Sequence, residues 1–185
     1  MRPNTFTLLL VLTLAAGPLA AEVIENVDYE YYDVEHERGE PLRSTITAAS
    51  PIEDGFHGYT KWYVRWRFNW QYDSDGTCWI TTVKVNLDAT ITLPELYTDD
   101  HRAQARFDEY IEALQGHEEG HLANGRQAAD EVESELGDME AYDSCGELEA
   151  AANTLAKQVV ARGNRRDKAY DKRTGHGRTE GAYLD

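Results

Sequence analysis

The segment His117-Glu118-Glu119-Gly120-His121 constrains the fold most, because its two histidines can bind one metal ion from a single face of a helix. Residues four apart in an α-helix lie on the same face, about one turn apart. The His-Glu-x-x-His pattern is typical of zinc peptidases, in which the glutamate is the general base for a metal-activated water. It predicts a helix with His117 and His121 as ligands of one Zn²⁺ ion and Glu118 as the catalytic base.

The apolar residues around this motif also recur at helical spacing, before it and after it (Phe107, Ile111, Leu114, Ala128, Val132 and Leu136). On this helix Glu118 falls in the centre of the apolar stripe, whereas Glu119 points to the polar side. This favours Glu118 as the base. The pattern predicts a helix from an Asp99 or Asp100 cap to Leu136. The alternative is an acidic amphipathic helix that carries two incidental histidines.

Three glycines, Gly116, Gly120 and Gly125, interrupt the predicted helix. Each weakens a helix by about 1 kcal/mol relative to alanine. The sequence therefore predicts that another element, or the backbone of a substrate, approaches the helix closely at these positions.

The N-terminus resembles a secretory signal, with Arg2, an apolar run over residues 6–16 and a small-residue exit ending at Ala20 or Ala21. Residues 1–21 are therefore predicted to be a signal peptide, and residues 22–185 an exported domain, periplasmic or secreted. The apolar run is short for a membrane span, so we expect no membrane insertion of the mature chain. The net charge of −16 argues against nucleic acid as a partner.

The chain has two cysteines, Cys78 and Cys145. In an oxidising compartment a lone pair usually forms a disulfide, which is the prediction here. The alternative is that the two thiolates bind zinc, although their spacing does not resemble a paired-cysteine zinc site.

The remaining patterns predict a single α+β domain. Alternating residues indicate strands at 23–34, 59–72 and 78–93, the last two forming a long hairpin whose tryptophan stripe faces the core. A short helix is predicted at 41–49, and Ser144 begins a second long helix that runs toward Gly163. The expected fold is a small antiparallel sheet packed on the motif helix and this second helix, in a zincin-like arrangement. The polar tail, 165–185, lacks core-forming periodicity and is expected to be disordered.

A catalytic zinc ion requires a third protein ligand and one open position. His101 lies sixteen residues before His117, about 24 Å away along an unbroken helix, so it is out of reach. Two histidines in glycine-containing segments remain as candidates, His176 and His57.

The order of these motifs resembles a bacterial domain-of-unknown-function family of predicted secreted zinc-dependent proteases. The resemblance is carried by the tryptophan-rich strand, the strand ending Ile91-Thr92-Leu93-Pro94, the motif helix, Cys145 and a Tyr-Asp-x-x-Thr-x-His-Gly block at 170–177. It implies that His117, His121 and His176 bind zinc and that Glu118 is catalytic.

Two residues of the C-terminal block have chemistry that suits an active site. Tyr170 is a candidate oxyanion donor, and Asp171 is a candidate partner that orients a ligating histidine. The alternatives are a tyrosine that anchors the tail and a solvated aspartate.

The sequence thus predicts a single-zinc metallopeptidase acting on peptide or protein substrates. The alternative is a non-catalytic zinc-binding envelope protein that serves as a binding or assembly module. Glu118 favours the enzyme, because a purely structural metal site does not need a carboxylate beside the metal.

Overall fold

The computed structural model describes residues 20–185, with side chains from residue 22 onward. It contains three strands and three α-helices: β1 (Ala20–Glu35), α1 (Leu42–Ala49), β2 (Tyr59–Tyr72), β3 (Cys78–Tyr97), α2 (His101–Gly137) and α3 (Cys145–Thr174). Single 3₁₀ turns lie at Glu53–Gly55 and Arg178–Glu180. The predicted α+β class is confirmed. The predicted signal peptide lies outside the described residues, apart from the backbone of Ala20 and Ala21, which begins β1.

The three strands form one mixed sheet in the order β1-β3-β2. β2 and β3 form the predicted antiparallel hairpin, but β1 runs parallel to β3, so the prediction of an antiparallel sheet was wrong for this strand. The connection between β1 and β3 contains α1, a 3₁₀ turn and the whole of β2. A parallel pair needs a long crossover, and a connection that includes a helix provides one.

β3 extends to Tyr97, although Pro94 was expected to end it. β2 pairs with β3 only as far as Thr92, whereas β1 continues its pairing along the whole end of β3. Pro94 therefore lies where β3 needs no amide donor on its β2 side, which is the kind of edge position that proline tolerates.

The motif helix begins and ends where the sequence predicts. The Asp100 carboxylate accepts hydrogen bonds from the amides of Arg102 and Ala103, and the helix ends at Gly137. Its apolar face packs on the inner face of the sheet, where the side chains are almost fully buried (Val83, Val85, Leu87, Ile91, Ala128, Val132 and Leu136). None of the described helices is both long and apolar enough to cross a membrane.

The tryptophan stripe of β2 faces the core at one end of the strand and solvent at the other. Trp62 and Val64 are buried, whereas Trp70 is 40% exposed. A register shift between Asn69 and Trp70 separates the distal end from the regular pairing. The prediction of a core-facing stripe therefore holds for the half of β2 that packs against the helices.

The predicted disulfide joins Cys78 at the start of β3 to Cys145 at the start of α3. Cys78 is fully buried, and its backbone exchanges two hydrogen bonds of 2.8 Å with Tyr142. The bridge therefore fixes the first turn of α3 against the sheet.

α3 continues to Thr174, so the predictions that it ends near Gly163 and that a disordered tail follows were wrong. Gly163 is a site of close packing: a Cβ there would lie 2.9 Å from the Cβ of Ala128 and 3.1 Å from the ring of Trp62. The glycine lets α2 and α3 approach each other. The helix ends instead at Gly175, which caps it in the left-handed conformation (φ 60°).

Candidate metal centre

The three motif residues lie together on the buried side of α2. His117, Glu118 and His121 are 4%, 4% and 8% exposed, in the middle of a helix that packs against the sheet. Burying three polar side chains is costly unless each has a partner. The partners come from the C-terminal half of α3, from the segment after it and from the start of β2.

His121 is held by two aspartates of α3. Its Nδ1 lies 3.2 Å from Asp167 Oδ1, and its Nε2 lies 3.1 Å from Asp171 Oδ1. Asp167 is itself fixed, because it also accepts hydrogen bonds from Asn124 (2.8 Å) and from the indole of Trp62 (2.7 Å). Burial disfavours the charged form of His121, but the Asp167, Glu118 and Asp171 carboxylates together outweigh this effect, and the pKa of His121 is raised.

His117 is held in the same way, by Glu180 and by the same Asp171. Its Nδ1 lies 2.9 Å from Glu180 Oε2, and its Nε2 lies 3.3 Å from Asp171 Oδ1. The ring stacks on Tyr170, with 4.9 Å between the ring centroids. Gly177 packs on the other part of the ring, since a Cβ at that position would lie 2.9 Å from His117 Cγ. Both motif histidines therefore direct Nε2 toward Asp171.

A third histidine reaches the same oxygen. His176 Nδ1 lies 3.4 Å from Asp171 Oδ1, so three imidazole nitrogens surround one carboxylate oxygen. Potential ligand atoms of His117, His121 and Asp171 all lie within 4.8 Å of one another. His176 is outside that group, and its side chain is 55% exposed. Its φ of 55° lies in a region that residues other than glycine adopt rarely.

The donor set is one that binds divalent metal ions, zinc among them. Imidazole nitrogen and carboxylate oxygen are ordinary zinc ligands, and catalytic zinc sites usually contain two or three such side chains. Ligating histidines usually donate their second N–H to a carboxylate, which fixes the tautomer. Glu180 and Asp167 occupy this position for His117 and His121.

Glu118 is fixed beside the histidine pair by the first residues of β2. Thr60 Oγ1 lies 2.8 Å from Glu118 Oε2 and 3.0 Å from the backbone carbonyl of Glu118. Gly58 lies directly over the other carboxylate oxygen, since a Cβ there would be 2.7 Å from Oε1. Burial raises the pKa of the Glu118 carboxyl, and the Thr60 hydrogen bond and the two histidines oppose this rise.

His57, the rival third ligand, lies in the same cleft with both ring nitrogens hydrogen-bonded. Nε2 lies 2.8 Å from Thr47 Oγ1, and Nδ1 lies 2.6 Å from the hydroxyl of Tyr110. Thr47 donates its hydroxyl hydrogen to the Arg43 carbonyl, so it accepts from His57 Nε2. Burial, followed by the charge of Arg43, lowers the pKa of His57, which favours the neutral ring.

Tyr170 occupies a position that matches the anchoring alternative. Its hydroxyl donates to the Glu180 carboxylate at 3.0 and 3.2 Å. Its side chain covers Gly120, where a Cβ would lie 2.8 Å or less from the hydroxyl oxygen and two ring atoms of Tyr170. The predicted close approach to the helix glycines is confirmed at Gly120 and also at Gly125, where Trp62 packs. It was wrong at Gly116, where a Cβ would have no neighbour within 4 Å.

The site opens into a cleft of about 930 Å³, large enough for a short peptide. Its walls come from α1, the 55–60 segment, α2, α3 and the C-terminal segment. The residues relevant here are the following: Arg43, Thr47, Asp54, His57, Gly58, Thr60, Tyr110, His117, Glu118, His121, Asp167, Lys168, Asp171, His176, Arg178 and Tyr183.

Three residues of the site were missed in the sequence: Thr60, Asp167 and Glu180. Asp167 carried a usable signal, because it lies four residues before Asp171 and therefore shares its helix face. Thr60 lies near the start of β2, where the alternating pattern drew attention to the tryptophans and not to the threonine. Glu180 follows three residues with left-handed backbone, Gly175, His176 and Gly177, and no local pattern marks it.

The fold and the site define an α+β protein with a histidine–carboxylate centre on a long helix. Residues 29–177 match the model of the family described as a bacterial protein of unknown function (DUF922), and the chain belongs to this family. The match confirms the resemblance to a domain-of-unknown-function family and covers the candidate centre except Glu180. No curated protein and no solved structure matches the chain.

Proposed function

We propose that this protein is an exported, zinc-dependent peptidase in which Glu118 is the general base. The observation that carries the proposal is the position of Glu118. Its buried carboxylate lines the cleft beside two histidines whose Nε2 atoms face a common oxygen and whose Nδ1 atoms are held by carboxylates.

A zinc ion bound there supplies a Lewis acid that lowers the pKa of a water molecule toward about 7. The Glu118 carboxylate accepts a proton from the attacking water and then donates it to the leaving amine. Thr60 limits the movement of the carboxylate during both transfers, because its single hydroxyl hydrogen lies between one carboxylate oxygen and the backbone carbonyl of Glu118.

The proposed ligands are His117 and His121 through Nε2, with His176 as the third. Asp171 is a fourth potential donor. A catalytic site keeps one position open, so one of these four donors must stay outside the coordination shell. The proposal assigns Asp171 that role.

The surroundings of the site suit an extended substrate. β2 lies at an edge of the described sheet, and its first residues line the cleft next to Glu118. A peptide can add to such an edge through main-chain hydrogen bonds. A helix-borne histidine pair beside an edge strand is the arrangement on which the zincin-like assignment rests. The disulfide supports export, because such bonds persist in oxidising compartments.

The test is hydrolysis of an unfolded protein by the purified mature chain, with and without a chelator. Glu118→Gln should lower the rate by about 10²–10⁴-fold, the range for loss of a general base. The matched control is Glu119→Gln, since Glu119 is bonded on the solvent side to Gln115 and Tyr29 and should be dispensable. Equal rates for the two variants, or hydrolysis that resists the chelator, would contradict the proposal.

One observation favours the non-catalytic alternative. Three histidines and Asp171 make four potential donors, and four protein ligands close a structural zinc site. Stoichiometric zinc together with no hydrolysis across a broad set of peptides would support this alternative. Absence of zinc from protein purified without chelator would exclude both.

A further inference from the structure

Three cationic side chains line the cleft, in a chain whose net charge is −16. Arg43 of α1, Lys168 of α3 and Arg178 after α3 all line it. Within residues 22–185, no carboxylate oxygen lies within 4.0 Å of a side-chain nitrogen of Arg43, Lys168 or Arg178. These charges are therefore available to a ligand.

Arg43 and Arg178 both lie against one aromatic ring. Their guanidinium carbons lie 5.6 and 4.3 Å from the centroid of Tyr183, which also lines the cleft. A guanidinium that stacks on an aromatic ring is already partly ordered, so it loses little further conformational freedom when it binds an anion. Its peripheral N–H groups remain available to acceptors. The stacked pair is thus a prepared donor site for an anion.

The acidic residues of the cleft do not neutralise this pair. Glu118, Asp167 and Asp171 are hydrogen-bonded to Thr60, Trp62, Asn124 and the histidines of the metal centre. Asp54 is the remaining acid in the wall, and it is exposed.

The two arginines and the motif residues of the metal centre line the same cleft. Tyr110, Arg43 and Glu118 line one continuous cleft. A substrate that reaches Glu118 can therefore also contact Arg43.

We infer that Arg43 and Arg178 bind a carboxylate of the substrate, so that the preferred substrates are peptides with a carboxylate close to the cleaved bond. The inference rests on the proposed function and specifies its substrate class. Arginine pairs with carboxylates through parallel N–H···O bonds, which suits the peripheral N–H groups of the stacked guanidiniums. The carboxylate comes either from an Asp or Glu side chain or from a free C-terminus.

The test measures peptide binding calorimetrically with the zinc-loaded Glu118→Gln variant, so that cleavage does not interfere. Three peptides share one sequence: a neutral amidated peptide, the same peptide with one acidic side chain, and the neutral peptide with a free C-terminus. At least one carboxylate peptide should bind about fivefold more tightly than the neutral peptide, the gain from roughly 1 kcal/mol for a partly exposed ion pair. The peptide that shows the gain identifies the source of the carboxylate.

Arg43→Gln and Arg178→Gln, each added to Glu118→Gln, should remove most of this gain, measured within each variant as the affinity ratio of the carboxylate peptide to the neutral peptide. Arg67→Gln is the matched control, because it removes the same charge from an exposed part of β2 outside the cleft. Equal binding of all three peptides, no binding, or an equal loss in the control would overturn the inference. Hydrolysis of the neutral peptide by the wild-type protein is measured separately, so that failure of the proposed peptidase function can be distinguished from failure of the carboxylate preference.

Discussion

Glu180 Oε2 accepts a hydrogen bond of 2.9 Å from Nδ1 of His117, across 63 residues of sequence. The bond favours a hydrogen on Nδ1, so that a metal can bind through Nε2, which in this structure faces Asp171 Oδ1. Asp167 does the same for His121, at 3.2 Å. The candidate centre therefore depends on two acids that lie outside the His-Glu-x-x-His motif.

We predict that Glu180→Gln and Asp167→Asn each weaken zinc binding about 10–100-fold, the range for loss of a carboxylate that orients a ligating histidine. The measurement is competition with a chromogenic zinc chelator. Asp130→Asn is the control, because Asp130 is exposed on the same helix as both histidines. Zinc affinity equal to that of the control would show that these carboxylates do not orient the ligands.

The sequence was sufficient for α2 because local and global signals agree there. The apolar residues repeat at helical spacing, Asp100 caps the start, and Gly137 marks the end. The same periodicity continues in the second half of α3, but polar residues carry it: Asp167, Tyr170, Asp171 and Thr174 recur three or four apart and contact the motif or their own helix. A search for apolar periodicity therefore ends the helix at Gly163.

The parts of the site that the sequence did not reveal depend on tertiary packing. Glu180 reaches His117 because Gly175 and Gly177 turn the chain back over α2. Thr60 reaches Glu118 because the first residues of β2 lie against α2. Neither relationship leaves a short-range pattern, so only the fold reveals them. The parallel pairing of β1 is of the same kind, since strand direction follows from the long connection and not from the strand itself.

The third ligand gives a second prediction. His176→Ala should weaken zinc binding by more than about 100-fold if His176 is a ligand, whereas Asp171→Asn should stay within the 10–100-fold range of an orienting carboxylate. The same chelator competition measures both. The reverse order of the two losses would transfer the ligand role to Asp171, whose oxygen lies within 4.8 Å of the ligand atoms of His117 and His121.

His57 gives a prediction on pH. Its pKa is lowered in the folded protein, first by burial and then by Arg43. Below the unfolded-state pKa of about 6.5, the unfolded chain binds more protons at this residue than the folded chain does. Its contribution to stability is therefore present above about pH 6.5 and is lost as the pH falls toward the folded-state pKa.

The measurement is urea unfolding of the metal-free protein between about pH 7.5 and 5.5, a window around the unfolded-state pKa. Over this range the free energy of unfolding of the wild type should fall more steeply than that of His57→Gln, by at most about 1.4 kcal/mol per pH unit. The variant also loses its bonds to Thr47 and Tyr110, so the slopes are compared and not the absolute stabilities. Parallel slopes would mean that His57 titrates normally in the fold.

Gly116 and Gly120 allow a matched pair of glycine-to-alanine substitutions on α2. A Cβ at Gly116 would have no neighbour within 4 Å, whereas one at Gly120 would overlap the ring of Tyr170. Gly116→Ala should therefore raise the free energy of unfolding by about 0.5–1 kcal/mol, the helical preference of alanine over glycine. Gly120→Ala gains the same preference but must displace Tyr170, and overpacking typically costs about 1–3 kcal/mol.

Displacing Tyr170 should also weaken zinc binding, because Tyr170 donates to the same Glu180 carboxylate that holds His117. The two substitutions thus differ in two readouts, urea unfolding of the metal-free protein and chelator competition. Gly116→Ala should be stabilised with unchanged zinc affinity, and Gly120→Ala should be destabilised with weaker affinity. If Gly120→Ala matched Gly116→Ala in both, the close contact between Tyr170 and α2 would not exist in solution, and the position of Glu180 beside His117 would lose its support.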